Sequence, residues 1–396
     1  MHTVRNSLTL LPLPEFEQNV RNAEVSISRI TNQELKRKRS SLWIDKSDMK
    51  ILKQVVGIDV SQNELAVSTG CLKEDLSIKI SGYKTFSNSL KGFKELIDWT
   101  KKLTTSEQPV RFVMEATGVY HEALAYYLVD SDQLVSIVLP NKMSNYQKTL
   151  QVKTITDKTA SEVITNFGLE KNLQLWQKPK KIYRDIRHLT RERDQLVQQK
   201  IVLRNQLHAE KAQAYANEST IQRLEAHISF VSSQEKEIMR EINQHIDQDQ
   251  QIKGQIDLIK SVPGIGVLTA AIILCETNGF EQVTSKKQLT SYAGLDVREK
   301  QSGTSVKGKP KISKKGNRYL RKAMHFPALT AIRHDERLKA IFARLVARHG
   351  IKMKAAVAVQ RKLLELVYAV YKTNKPYDKE YLKQTNKDDN KKTAVV

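Results

Sequence analysis

QVVGIDV, residues 54–60, and after three polar positions ELAVSTG, residues 64–70, decide how the first half of this chain folds. The first run is apolar and β-branched and closes on Asp59; the second has the same character and reads as its hairpin partner. IKISGYKTF, residues 78–86, predicts a third strand. LKGFKELIDWTKKL, residues 90–103, sets Leu90, Phe93, Leu96, Ile97 and Leu103 along one side of a helix. RFVMEATG, residues 111–118, is a further apolar strand and ends on Glu115. HEALAYYLVD (121–130) is helical, LVSIVLP (134–140) is a strand, and a helix is expected from about Lys158 through Phe167. Strands grouped first and then alternating with helices predict a mixed α/β sheet.

The order of these elements resembles the RNase H fold, and the acids within it are placed informatively. Asp59 and Glu115 each close a hydrophobic strand, where an open α/β sheet gathers its ligands. Asp157 stands at the entrance to a helix in TITDKTASEVI, residues 154–164. Carboxylates gathered on one sheet edge repel each other and are best accommodated around a hard divalent cation such as Mg²⁺. A paired-metal site would activate a nucleophile and steady a leaving oxygen. Singly, each acid has an ordinary reading as a helix cap or solvated strand end. For Asp157 the helix dipole favours that reading. Three acids at such positions argue for a site.

Residues 183–259 turn polar and heptad-like. One register sets Ile186, Arg193, Lys200 and Leu207 at a, with Leu189, Leu196 and Leu203 at d. It resumes through Ile221, Leu224, Ile228, Val231, Ile238, Ile242, Ile252, Ile256 and Ile259. AQAYANEST, residues 212–220, interrupts it, and Ser219 with Gln222 has capping-box spacing. The pattern predicts a coiled-coil hairpin or two helices rather than one rod. Arg193 and Lys200 in the seam would weaken a simple dimer and point toward a partner or nucleic acid. A structural spacer is the plainer role for most of the other positions.

At residue 258 the composition shifts to LIKSVPGIGVLTAAIILCE. A helix, a Pro-Gly-Ile-Gly turn and an apolar second helix form a helix-hairpin-helix pattern. In it Gly264 and Gly266 let backbone N–H groups meet a phosphate, although PGIG also occurs in plain helix turns. AGLDVREKQSGTSVKGKPKISKKGNRYLRKA follows over residues 293–323, where four glycines turn the backbone repeatedly. Between residues 298 and 322 it carries Arg298, Lys300, Lys307, Lys309, Lys311, Lys314, Lys315, Arg318, Arg321 and Lys322 against one acid, Glu299. In its middle sits Ser302, followed by the small Gly303. Cations around a hydroxyl lower the cost of the alkoxide and offset charge building on a pentavalent phosphorus. The plainer reading is a solvated basic loop with Ser302 as a turn residue. Helices are expected from about Asn317 to Tyr371, AAVAVQRKLLELVYAVY (355–371) presenting a small, apolar face.

Across 396 residues Lys and Arg total 66 against 43 Asp and Glu, a net charge of +23. That excess points to a polyanion, and nucleic acid is the commonest one. The longest apolar run, residues 267–275, is too short to span a bilayer, and LTLLPLP (8–14) lacks a signal-peptide layout. Cys71 and Cys275 alone offer neither a disulfide framework nor a cysteine metal site, so a reduced, cytoplasmic protein is expected. Residues 1–50 lack periodicity and contain the charge run 36–40; they read as a basic, disordered and dispensable extension, with Met49 as an alternative start.

Five motifs occur in order: VGIDVS (56–61), FVMEATGVY (112–120), TDKTAS (156–161), SVPGIGVLTA (261–270) and the AGLD…QSG…ISKKGNRYLRKA block. Together they resemble the transposases of the one-ten group of bacterial insertion sequences, related to the Piv and MooV recombinases. The resemblance implies a RuvC-like domain over residues 51–175, coiled-coil helices over 176–257 and a transposase domain over 258–375, with a polar tail from 376 to 396. It implies an Asp-Glu-Asp-Asp site binding Mg²⁺, carried over onto Asp59, Glu115 and Asp157, and a serine nucleophile carried over onto Ser302. It further implies double-stranded DNA as substrate, a structured guide RNA from the element, a homo-oligomer (dimer or tetramer) and a place beside the bacterial nucleoid. The third motif departs from the usual Thr-Asp-x-x-Asp-Ala, because Ala160 stands where the fourth acid is expected. Ser161 is a poor substitute and Glu162 points away from Asp157. Two rivals remain open: a Mg²⁺-dependent Holliday-junction nuclease in which Ser302 is incidental, and a catalytically impaired nucleic-acid-binding protein.

Overall fold

Strand β1 (Ile51–Val60) is buried from Val55 through Ile58 and again at Val60, which is why its sequence is continuously apolar rather than alternating. The computed structural model describes residues 49–379 except positions 117, 151–153, 155, 282, 300, 303–305 and 309. The extension read over residues 1–50 lies outside the described residues as far as 48, and so does the polar tail from 380 onward. Two compact units meet at Lys178 and Pro179, close to the boundary expected after residue 175.

In the first unit β1 pairs antiparallel with β2 (Glu64–Lys73), and β2 with β3 (Ile78–Ser87). On its other side β1 runs parallel to β4 (Val110–Glu115), which runs parallel to β5 (Leu134–Val138). The order β3-β2-β1-β4-β5 is the mixed, RNase H-like sheet that the sequence predicts. Helices α1 (Leu90–Leu103) and α2 (Glu122–Asp130) cover one face. α1 starts at Ser89, whose side chain accepts from the Gly92 N–H, and ends with Lys101 and Lys102 complementing its dipole. Phe93 and Phe112 are fully buried in that layer, each contributing about 2–3 kcal/mol of apolar burial. The opposite face is covered by α3 (Pro140–Thr149) and α4 (Asp157–Glu170).

The second unit is helical apart from one basic arm. α5 (Lys181–Lys211) and α6 (Glu218–Gln248) form the hairpin. The pairs Arg193–Glu235 and Lys211–Glu225 fix it as antiparallel, since one partner number rises as the other falls. α6 is capped by Asn217, whose Oδ1 accepts from the Thr220 N–H at 3.1 Å; Ser219 instead donates to that same side-chain oxygen, so the cap lies two residues before the one expected. α7 (Gln250–Lys260), the apolar α8 (Val267–Glu276) and α9 (Lys286–Tyr292) follow. α10 (Arg318–Ala323), α11 (His325–His334), α12 (Glu336–His349) and α13 (Lys352–Thr373) complete the bundle. Tyr183, Ile186, Ile238 and Ile242 share a core with Ile273, Leu274, Leu363 and Val367. Packing therefore runs straight through the division expected at 257/258.

The two cations in the heptad seam have an internal partner. Arg193 donates to Glu235 at 2.7 Å and Lys200 donates to the other oxygen of the same carboxylate. Burial alone would raise the Glu235 carboxyl; the hydrogen bond from Lys200 and the charge of Arg193 hold it below its ordinary value. Its contribution is fully present above the unfolded glutamate value of about 4.3 and is lost as pH falls through the lower folded value. Glu235→Gln, which strands two half-buried cations, is expected to cost about 3 kcal/mol at neutral pH. Urea unfolding at pH 7 and at pH 3.5 checks it, since the deficit should shrink at the lower pH.

Candidate active site

Parity along the strands decides where the acids stand. Val55 and Val113 belong to the core under α4, whereas Val56, Ile58, Phe112 and Met114 belong to the opposite one. Alternation then puts Asp59 on the face of Val55 and Glu115 on the face of Val113, both toward α4. The parallel register Ile58↔Met114 brings the two half-buried acids to neighbouring strand ends.

α4 can lie across that face because residue 57 is glycine. A Cβ there would stand 2.4 Å from the Thr165 backbone nitrogen and 2.6 Å from the Ser161 carbonyl oxygen, so any side chain would lift the helix. The helix opens with a capping box: the Thr156 hydroxyl accepts from the Thr159 N–H at 3.2 Å, and the Thr159 hydroxyl accepts from the Thr156 N–H at 2.8 Å. Thr156 thus does the capping, and the exposed Asp157 at the first helical position is not the cap. Burial raises the Asp59 carboxyl above its ordinary value and the charge of Asp157 raises it further, against the Val60 N–H that lowers it.

Two mutually repelling carboxylates are hard oxygen donors, and they fit a divalent cation whose other positions are filled by water and substrate phosphate, as Mg²⁺ commonly is. Among the described residues no group of three or more Asp, Glu, His or Cys is spaced to close around one ion. Ala160 lies half-buried one turn on from Asp157 and brings no donor. Ser161 is fully buried and donates to the Lys158 carbonyl at 2.8 Å, so it is committed to packing α4; Glu162 pairs with Lys158. Sequence reasoning missed Asn88, whose side-chain amide donates to Ser61 O at 2.9 Å and Tyr120 O at 3.2 Å. It ties the exit of β1 to the loop after Glu115, and no periodicity signals it.

In the second unit the basic stretch is an antiparallel arm. β6 (Val297–Arg298) pairs with β9 (Lys311–Ile312), and further out β7 (Gln301–Ser302) pairs with β8 (Val306–Lys307), Ser302 opposite Val306. Arg298, Lys311, Lys314, Lys315 and Arg318 are exposed. Arg321 is half-buried and donates to the Ala293 carbonyl at 2.8 Å, holding the base of the arm. Lys300 and Lys309 lie outside the described residues, and Lys307 is placed only by its strand. Gly264 has a packing reason to be glycine: at φ +83° its Cβ would stand 2.4 Å from the Pro327 carbonyl on α11. Gly266, the N-cap of α8, has open space where a Cβ would stand.

Both roots of the arm are held by one buried acid that the sequence reading did not single out. Glu276, at the end of α8, receives two hydrogen bonds from Arg191 of α5, each 2.8 Å, and one from the Asn317 amide at 2.6 Å. Its carbonyl accepts from the Tyr292 hydroxyl at 2.7 Å, and the Asn317 N–H donates to the Tyr292 carbonyl at 2.7 Å. Tyr292 and Asn317 flank the arm, so Glu276 clamps its two ends together. Glu276→Gln keeps the shape and removes the charge that pairs Arg191; a loss of about 3 kcal/mol is expected. Chemical denaturation of the full chain measures it, and a change below about 0.5 kcal/mol would show that the clamp is not structural.

Residues 56–213 match a family described as Transposase, the DEDD group of IS110, and residues 256–343 match the Transposase IS116/IS110/IS902 family. The chain is 29% identical over 296 residues to the pilin gene-inverting protein of Moraxella bovis, covering 74% of this chain and 90% of that protein. It is 30% identical over 121 residues to the "Insertion element IS110 uncharacterized 43.6 kDa protein" of Streptomyces coelicolor, covering 31% of this chain and 30% of that one. Among solved structures, T. thermophilus RuvC in complex with a Holliday junction substrate aligns with a TM-score of 0.25 at 7% identity, over 31% of this chain and 99% of that one. No described helix is long and apolar enough to cross a membrane.

Proposed function

Because the chain belongs to the IS116/IS110/IS902 transposases, enzymes that act on DNA, we propose that it cuts and rejoins double-stranded DNA through Ser302. The Ser302 hydroxyl oxygen bonds to a backbone phosphorus as the P–O bond to the departing sugar oxygen breaks, and the serine proton passes to that oxygen. The phosphoserine ester keeps the phosphodiester energy, so reversal onto a second strand end needs no ATP. Asp59 and Asp157, with Glu115 beside them, would hold a divalent cation, Mg²⁺ in this reading, which supplies positive charge to the phosphate oxygens. The arm's cations position the backbone and offset charge in the transition state. A structured RNA from the element directs the pairing, and a homo-oligomer brings the DNA ends together near the nucleoid.

The observation that carries this reading is that the three acids fall inside one matched segment and Ser302 inside the other. Ala160 favours one second reading, a nucleic-acid-binding protein that no longer cleaves, because the expected fourth donor is missing. The two separate on a single experiment. The full chain is incubated with end-labelled DNA of its element's termini and the transcribed non-coding flank, in Mg²⁺ or EDTA, and resolved on a denaturing gel. A Mg²⁺-dependent covalent adduct whose phosphopeptide contains Ser302 is expected. Binding without any adduct would select the second reading.

A further inference from the structure

The second unit contains a cavity of about 490 Å³ between the foot of the basic arm and helices α5, α10 and α13. Four cations line it, Lys314, Arg318, Arg321 and Lys322, against one acid, Asp194. Asp194 pairs with Lys322; among the described residues no carboxylate pairs with the other three. The site therefore keeps an excess of positive charge where an anion enters. Its volume lies in the range of pockets that enclose a small organic group, larger than a bare phosphate requires.

The rest of the lining is not that of a phosphate site. Val357 and Ile312 give it an apolar wall, and Met353, 60% exposed, stands at it as a further apolar surface. The Arg318 guanidinium carbon lies 4.8 Å from the Tyr319 ring centroid and its Nη2 donates to the Tyr319 hydroxyl at 2.9 Å, while Arg191 lies 4.7 Å from the same centroid. A guanidinium–aromatic step of this kind is a platform for a planar base. Beside it sits Gln360, 4% exposed, with its side-chain nitrogen 2.9 Å from His325 Nδ1, so an amide and an imidazole are already oriented at the wall. Cations for a phosphate, flat apolar surface for a ring and fixed polar groups for its edge are the chemistry of one nucleotide. A base inside a duplex stack cannot reach into a cavity.

We infer that this cavity takes a single unpaired nucleotide, its phosphate on Lys314 and Arg318 and its base against Val357 and the Arg318–Tyr319 step. The inference rests on the nucleic-acid reading above and deepens it, from backbone attraction to recognition of a nucleotide outside the helix. An unpaired nucleotide of an RNA and an extruded nucleotide of a DNA share this chemistry.

Fluorescence anisotropy of the full chain at fixed, physiological salt tests it with four probes: an RNA duplex with one bulged adenosine, the same RNA without the bulge, and the two DNA counterparts. The bulged form is expected to bind about tenfold tighter, the worth of one stacked base. A preference confined to RNA or to DNA names the source. Val357→Phe, which fills the cavity, should bring the bulged probe to the affinity of its paired counterpart. Met353→Trp, at an exposed position, should do the same from the mouth without disturbing the core. Equal binding of bulged and paired probes, or a preference that survives both substitutions, overturns the inference. None of these readouts needs cleavage: equal binding with an intact Ser302 adduct removes only the cavity assignment, whereas failure of the adduct alongside a bulge preference removes only the nucleophile.

Discussion

Ser302→Ala is expected to abolish strand transfer, by about 10⁴-fold or more, because it deletes the atom that bonds to phosphorus in the proposed reaction. The effect should be confined to chemistry. The substitution removes no charge, and the cations of the arm, proposed to supply the phosphate attraction, are untouched; affinity for DNA should stay within about twofold. Gln301 and Ser302 pair with Val306 and Lys307 through the backbone, so alanine leaves that ladder intact. Ser305, three residues on in the sequence, is the competing hydroxyl. Adduct formation by Ser302→Ala together with its loss in Ser305→Ala would transfer the assignment to Ser305.

Asp59→Asn should have two effects of opposite sign. Cleavage falls by at least about 100-fold, since the pair that would hold a cation loses one of its charges. Stability rises at neutral pH. Burial and the neighbouring Asp157 raise the folded-state pKa of Asp59, so the native chain binds more protons than the unfolded one between the unfolded and folded values. Stability therefore drops as pH climbs through that window, and the cost of holding the carboxylate ionised is fully present above it. Asparagine removes this cost, so the variant's melting temperature should exceed that of the wild type at pH 7. The two should converge below the unfolded aspartate value of about 3.9. A divalent cation should raise the melting temperature of the wild type and not of the variant. Lower stability of Asp59→Asn at pH 7 would mean that the carboxylate serves structure, and the metal argument would lose its physical basis.

The two opposed effects, if found, would account for a strand so apolar ending on an acid. Nothing in the folding of β1 asks for Asp59, and the same position on a purely structural strand would be better filled by a neutral residue. Gly57 shows the complementary case. It weakens the strand locally, yet it is the position at which α4 can come close enough for Asp157 to sense Asp59.

The sequence by itself determined the elements and their faces. Apolar runs closing on Asp59 and Glu115 marked the strands and put both acids at strand ends, and the density of cations around Ser302 marked the arm. These are local properties, set by periods of two and 3.6 residues and by composition, and they survive without knowledge of what packs against them. Tertiary structure alone decided the partners. Arg193 and Lys200 in the heptad seam pointed toward a partner or nucleic acid, but Glu235, some forty residues on, returns antiparallel to meet them. Glu276 ends an apolar helix, where a solvated cap is the ordinary expectation, and becomes the clamp of the arm only because Arg191 and Asn317 converge on it from distant stretches. Gly264 read as a turn glycine, and only the fold shows that the Pro327 carbonyl packs where its Cβ would stand. In each case the residue type shows that something must come close or be paired, while which group arrives depends on chain closure over tens of residues, to which no local pattern is sensitive.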